Sequence, residues 1–277
     1  MTLEVQLVGS TTQMAIVRLQ PGQVVYSEAG KFLFSSGDVL METKLTAPSA
    51  PVASPLSQGG FGGGNGGAGL GGLLRGAMDV GKRMMAGESF AFTHFSTRGG
   101  DGLLALAGVL PGEMRAIEMD GRTTWFAEKD AFVAAEAGVH FDIAFSGLRQ
   151  GFAGGEGFVL EKFTGVGTLL IGGVGDFIDI NPADYGGRLR VDTGCVVAWD
   201  QGIRYDVQRV GNLNRQGAMT ALFGGEGFSL ATLEGNGRVI LQSVTIDGLA
   251  KALEKNAGAG DRKTGIGMGG LFSGSSD

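Results

Sequence analysis

Carboxylates recur in this chain at a near-constant interval. Glu88, Glu156 and Glu226 stand 68 and 70 residues apart, each inside one phrase: Gly87-Glu88-Ser89-Phe90, Gly155-Glu156-Gly157-Phe158 and Gly225-Glu226-Gly227-Phe228. A threefold arrangement would bring the three side chains around one axis, where oxygen ligands suit Ca²⁺ or Mn²⁺. The competing expectation is structural. Each Glu then sits at the mouth of a hairpin and accepts hydrogen bonds from turn amides, while the Phe after it fills the core. Nothing in the spacing requires the carboxylates to meet. The structural role is therefore the first expectation, and neither a metal nor a cofactor is assigned.

Other motifs carry less. Val191-Asp192-Thr193-Gly194 matches the core of an aspartic-protease loop, but that chemistry needs two carboxylates sharing a proton. The triplet occurs once, and Cys195 follows it, so a turn between strands is the better reading. The stretch 76–83 approaches a phosphate-binding loop without the Ser or Thr that would hold Mg²⁺. The glycines at 265–270 fit a dinucleotide fingerprint by count alone. His94 and His140, the only histidines, have no Cys or His at ligand spacing and alternate with apolar residues, as satisfied strand histidines do. No Gly-x-Ser-x-Gly elbow is present. No catalytic residue is assigned.

The repeated phrase opens a longer pattern: an apolar run, a Gly-rich turn and a second apolar run. The copies span 90–95, 99–100 and 103–108; 158–163, 165–167 and 168–173; and 228–233, 235–237 and 238–242. Self-similarity at a fixed period predicts one hairpin-bearing unit used three times. Elsewhere, Leu3, Val5 and Leu7 alternate in the period-2 manner of a half-buried strand. Pro21-Gly22 predicts a type II turn. Ala29-Gly30-Lys31 and Ser36-Gly37-Asp38 predict hairpin turns, with more at Pro111-Gly112, Asp120-Gly121, Gly138 and Gly186-Gly187. Strands at this spacing fit an all-β sandwich or barrel. Only 246–256 reads as a helix, with Leu249, Ala252 and Leu253 on one face and Gly258 as its stop.

Composition agrees. Of 277 residues 53 are Gly, where about 7 % is usual. The lone Cys195 cannot form an internal disulfide, which suits a reducing, cytoplasmic setting. The first residues lack a basic segment followed by a long apolar run, so no signal peptide is expected, and no apolar run is long enough to span a membrane. The net charge of −6 argues against a nucleic-acid partner.

Two segments depart from the strand rhythm. Residues 47–76 combine three prolines with a Gly-dense run and read as a flexible insertion. At its end Leu70, Leu73, Leu74, Val80, Met84 and Met85 recur near helical spacing among Arg75, Lys82 and Arg83. This stripe predicts either an amphipathic contact with a lipid surface or partner, or a plain crossover covering the β core, and the crossover is preferred. The tail to Asp277 is Gly/Ser-rich and expected to fray.

Several motifs then fall in one order. Gln13-x-x-x-Val17-x-Leu19-x-Pro21-Gly22, Glu28-Ala29-Gly30, Met41-Glu42-Thr43 and Arg83-Met84-Met85-Ala86-Gly87-Glu88-Ser89-Phe90 come first. Pro111-Gly112, Val191-Asp192-Thr193-Gly194 with Val197-Ala198, Gly225-Glu226-Gly227 and Gly237-Arg238-x-x-Leu241-Gln242-Ser243 follow. Together they resemble the bacterial relatives of the altered-inheritance-of-mitochondria family, over about residues 3–244. The resemblance implies three β-sandwich modules like the subunit of the tryptophan RNA-binding attenuator (TRAP), in pseudo-threefold arrangement, with three chains able to close a ring. It brings no catalytic residues. The association of its mitochondrial members with inner-membrane organisation adds weight to the stripe at 70–86.

The expected organisation is thus a triplicated β domain over 1–244, with modules near 1–110, 111–180 and 181–244, followed by a short helix and tail over 245–277. The expected role is a non-enzymatic scaffold that forms a homo-trimer and presents a surface to a protein or membrane. The alternative is a protein that binds a small molecule or divalent cation through Glu88, Glu156 and Glu226. A hydrolase using Asp192 ranks last.

Overall fold

The computed structural model describes residues 3–45, 47, 91–128, 130–146, 158–209 and 229–261. Five strands come first: β1 (Glu4–Val8), β2 (Met14–Leu19), β3 (Val25–Glu28), β4 (Phe32–Lys44) and β5 (Phe92–Ala107). Then follow β6 (Met114–Asp120), β7 (Trp125–Glu128), β8 (Phe132–Glu136), β9 (Val139–Ser146) and β10 (Phe158–Gly172). The last strands are β11 (Phe177–Ile180), β12 (Arg188–Asp192), β13 (Val196–Asp200), β14 (Ile203–Arg209), β15 (Ser229–Gly235) and β16 (Val239–Gln242). One α-helix, α1 (Ile246–Asp261), ends the described chain. The expectation of a mostly β protein with a C-terminal helix holds. The helix runs past Gly258 to Asp261, because each glycine weakens a helix by only about 1 kcal/mol and does not by itself end it.

Two expectations about turns are overturned. The Gly-rich pieces inside the repeated phrase do not reverse the chain: β5 passes through Gly99-Gly100 and β10 through Gly165 to Gly167 without a break. Only the third copy divides, into β15 and β16. A tight hairpin of the commonest kind needs two consecutive residues with suitable turn dihedrals. Here Gly165 and Gly167, at φ 103° and 137°, flank Val166 and bend one long strand instead. Likewise Ser36-Gly37-Asp38 is not a hairpin turn, since β4 continues through it with a shift of register between Gly37 and Val39. That bulge lets β4 follow the bend of β5.

The bent strands are the organising elements. The first half of β5 pairs with β3, its second half with β2, and β4 runs along both. The first half of β10 pairs with β7 and β9, its second half with β6 and β8. β15 takes β12 and β14, and β16 takes β11 and β13. All these ladders are antiparallel. Two more join distant parts of the chain: β3 to β8, with Val25 opposite Glu136 and Ser27 opposite Ala134, and β7 to β13, with Ala127 opposite Ala198 and Trp125 opposite Asp200.

Three apolar clusters fill the space between sheets. The largest gathers Tyr26, Phe92, Phe132, Phe141 and Phe163. Leu19, Phe95, Leu104 and Leu170 belong to a second, and Trp199, Leu233 and Val239 to a third. Where the strands close on one another there is no room for a side chain. A Cβ on Gly112 would strike the carbonyl of Gly173, beside the backbone bridge between Gly112 and Gly175. Backbone cannot swing aside as a flexible side chain can, so Gly112→Ala should cost about 1–3 kcal/mol. Chemical denaturation of the two proteins side by side measures this, and a loss below about 0.5 kcal/mol would mean the bridge is dispensable.

Candidate functional site

Two features stand out: a pair of open strand edges and an acidic cavity. β8 and β13 are each held between two strands, and their burial reflects it. Phe132 to Ala135 and Val196 to Trp199 are buried throughout. The first half of β4 pairs with β5 on one side only, and its outer edge meets no strand among the described residues. Phe32, Leu33 and Phe34 stand 40, 47 and 43 % exposed there. Among the described residues β12 is likewise paired only with β15, and it ends the separate three-stranded sheet β12-β15-β14. Along it Leu189 and Val191 are half-buried, and Arg188 ion-pairs with Glu234 at 3.1 Å.

The cavity, of about 420 Å³, lies where the turns after β3 and β7 meet the start of β13 and of α1. Glu28, Lys31, Glu128 and Asp130 line it, together with Val109, Val133, Val196 and Ile246. Lys31 is 5 % exposed, and its Nζ lies 3.4 Å from Glu28 Oε2. The Tyr205 hydroxyl donates to Glu128 Oε1 at 2.8 Å. Burial pushes the Glu128 carboxyl up to about 7, an effect the Tyr205 hydrogen bond only partly offsets. Tyr205 in turn stacks on Trp199, ring centroids 4.4 Å apart, and its hydroxyl is raised by burial and by Glu128. Asp130 takes the left-handed backbone, φ 73°, which Asp tolerates better than most residues.

Glu161 on β10 lies behind this group. It is 2 % exposed, and its carboxyl is held well above the usual range, first by burial and then by Glu28 and Asp130. The Phe132 N–H and Lys31 act the other way. Its Oε2 has no hydrogen-bond partner among the described residues.

The residues singled out from sequence fare differently. Glu88, Glu156, Glu226, Leu70, Leu73, Leu74, Val80, Met84 and Met85 all lie outside the described residues. Asp192 caps the short 3₁₀ turn Thr193–Cys195 by accepting from the Gly194 N–H at 3.0 Å, as a turn reading requires. Cys195 beside it is no activated nucleophile, because burial and Asp192 push its thiol up. His94 stacks on Tyr26 at 5.9 Å. His140 lies in β9, but its buried Nδ1 has no partner among the described residues, so it is not a satisfied strand histidine. Among these residues no three His, Cys, Asp or Glu side chains gather at metal-binding distance, and no helix is long and apolar enough to cross a membrane.

Sequence reasoning missed the cavity acids. Glu161 was the available signal, for it alternates in register with Phe163 on the inward face of its strand. A carboxylate in a core position marks a paired, functional or protonated group.

Long bent strands shared between antiparallel sheets define an all-β protein of several linked sheets. More narrowly, the chain belongs to the mitochondrial biogenesis AIM24 family, whose sequence profile matches residues 5–244. It is 29 % identical over 240 residues to an uncharacterized protein of Streptococcus pyogenes serotype M6, covering 86 % of this chain and 84 % of that protein. A crystal structure of a Streptococcus pyogenes protein matches with a TM-score of 0.66 at 25 % identity, over 92 % of this chain and 99 % of that one.

Proposed function

We propose that this protein is a non-enzymatic, cytoplasmic β scaffold of three repeated TRAP-like sandwich modules that assembles with copies of itself, head to tail, into a trimer. Recurrence of the pairings supports the modules. In each third of the chain the two halves of one long strand, or of its divided equivalent, take four antiparallel partner segments in the same order, the two halves of β4 supplying two of the four in the first third. Each third then passes its second such strand to the next, as β3 to β8 and β7 to β13. Continuing the series leaves β12 to meet the first half of β4.

The observation that carries the proposal is the exposure of Phe32, Leu33 and Phe34, at positions whose counterparts in β8 and β13 are buried. A neighbouring copy presenting β12 would cover them and complete the unpaired backbone groups. Transferring the register of the two internal ladders places Val191 opposite Phe34, Arg190 opposite Ser35 and Leu189 opposite Ser36. A head-to-tail contact of this kind closes a ring when its rotation allows. The stripe at 70–85 would then be repeated around the assembly as a surface for a protein or membrane.

The test is a mixing experiment on a Cys195→Ser background. One chain carries Ser35→Cys and the other Arg190→Cys. Oxidation should give a covalent dimer only in the mixture, and light scattering of the parent should give three times 28.4 kDa. A monomeric mass that persists at high concentration, with no cross-link in the mixture, would overturn the assembly.

A further inference from the structure

We propose that Met41 is a redox modification site at the junction between copies: oxidation of its thioether by a peroxide releases the neighbouring chain, and reduction of the sulfoxide lets it return. The inference rests on the head-to-tail assembly proposed above and adds a chemical control to it. Register fixes what Met41 corresponds to. It pairs with Phe95, as Phe141 pairs with Phe163 and Tyr205 with Leu233. On their other side those three partners face Val25, Trp125 and Leu189. Both internal counterparts of Met41 reach across to the module before them. The Phe141 ring lies 5.3 Å from that of Phe92 on β5, and the Tyr205 hydroxyl donates to Glu128 on β7 at 2.8 Å. Phe141 is accordingly 3 % exposed, whereas Met41, with no module before it in its own chain, is 49 % exposed.

The other side of the junction shows the same opening. Phe92 and Leu160, opposite Glu28 and Glu128, are buried, but their counterpart Leu230, opposite Asp192, is only half-buried. Met41 of one copy therefore meets Leu230 and Asp192 of the copy before it. An unbranched, polarizable thioether suits an irregular apolar contact of this kind. Its sulfoxide does not, because burying a polar group without a partner is costly. The new oxygen accepts hydrogen bonds only, and so does an ionised Asp192. In the oxidation the O–O bond of hydrogen peroxide breaks and one oxygen bonds to the sulfur, which gives up two electrons, while the other leaves as water. Reversal takes two electrons from a dithiol, which becomes a disulfide as the oxygen leaves as water. Of the described methionines, Met14 is half-buried and Met114 and Met119 are buried, so Met41 is the accessible one. Assembly covers it, and the peroxide therefore acts on the free chain and holds it there.

Hydrogen peroxide is the probe, applied to the full chain. Peptide mass mapping should find Met41 oxidised faster in dilute, dissociated protein than in concentrated, assembled protein. After oxidation, light scattering should show the dissociation constant of the assembly raised about tenfold or more. Methionine sulfoxide reductases with dithiothreitol should restore the parent value. Met41→Leu keeps the volume and has no sulfur, so it should assemble as the parent does and keep its mass after the same treatment. Met41→Gln, polar and of similar length, should assemble poorly without any oxidant. Met41 stands on an exposed edge, so both variants should melt with the parent. A parent that is monomeric before any peroxide overturns the assembly and this control with it. A parent trimer whose mass is unchanged once Met41 is fully oxidised overturns the control alone. So do equal oxidation rates in dilute and concentrated protein, or an equal loss of mass by the parent and Met41→Leu.

Discussion

Phe132→Ala should remove about 3–5 kcal/mol of folding stability and lower the melting temperature by roughly 10 °C. Phe132 is 1 % exposed, and its ring centroid lies 5.4 Å from Phe163, 5.5 Å from Tyr26 and 5.8 Å from Phe141. Tyr26 is held from moving into the vacated space, because its hydroxyl donates to the Val139 carbonyl at 2.9 Å. The loss should therefore lie toward the upper end for an aromatic-to-alanine change, where a site collapses poorly. Phe34→Ala is the informative contrast. Phe34 is 43 % exposed in the isolated chain, so the monomer should lose little, while assembly through β4 should weaken. Urea titrations of both variants, set beside their masses in solution, separate core from edge. Equal losses of monomer stability would mean that Phe34 is packed as Phe132 is, and that β4 is not open.

The second large effect is a dependence on pH. Glu128 has its folded pKa raised from the ordinary 4.5 to about 7. Between those values the folded protein holds a proton that the unfolded chain has released. Stability attributable to this group is therefore fully present below the ordinary value and is lost as pH rises toward 7. A shift of this size corresponds to about 3 kcal/mol. Glu161, also raised and more deeply buried, adds a loss of the same sign. Asp120 acts in the opposite sense: its carboxylate accepts the Thr123 and Arg122 amides, which lowers its pKa, but it is fully exposed. Glu128→Gln keeps an acceptor for the Tyr205 hydroxyl and carries no charge at any pH. Its stability, followed through the buried Trp125 and Trp199 from pH 5 to 8, should decline less than that of the parent by most of this amount. Parallel curves for the two proteins would show that Glu128 ionises as freely when folded as when unfolded.

The sequence alone settled the class of the fold and the family. Alternation in segments such as Leu3 to Leu7 and turn chemistry at Pro21-Gly22 are local, and local periodicity is enough to specify strands. The motifs from Gln13 to Ser243 are specific in combination for the same reason, since each is read without knowing what it touches. Strand direction at the glycines was not legible. Whether Gly165 to Gly167 reverse a chain or bend it depends on which strands compete to pair with each half, and those partners are Thr168 to Glu118 on one side and Phe163 to Trp125 on the other. The acid group was equally hidden. Glu28, Glu128 and Glu161 are spread across more than a hundred residues, and only the ladders from β3 to β8 and from β7 to β10 bring Glu28 and Glu128 to one cavity and bury Glu161 in the strand beside Glu128. The same holds for the edges. Phe32 to Phe34 and Val196 to Trp199 are both short apolar runs, and what distinguishes an exposed edge from a buried centre is the presence of a second strand, a fact of tertiary pairing.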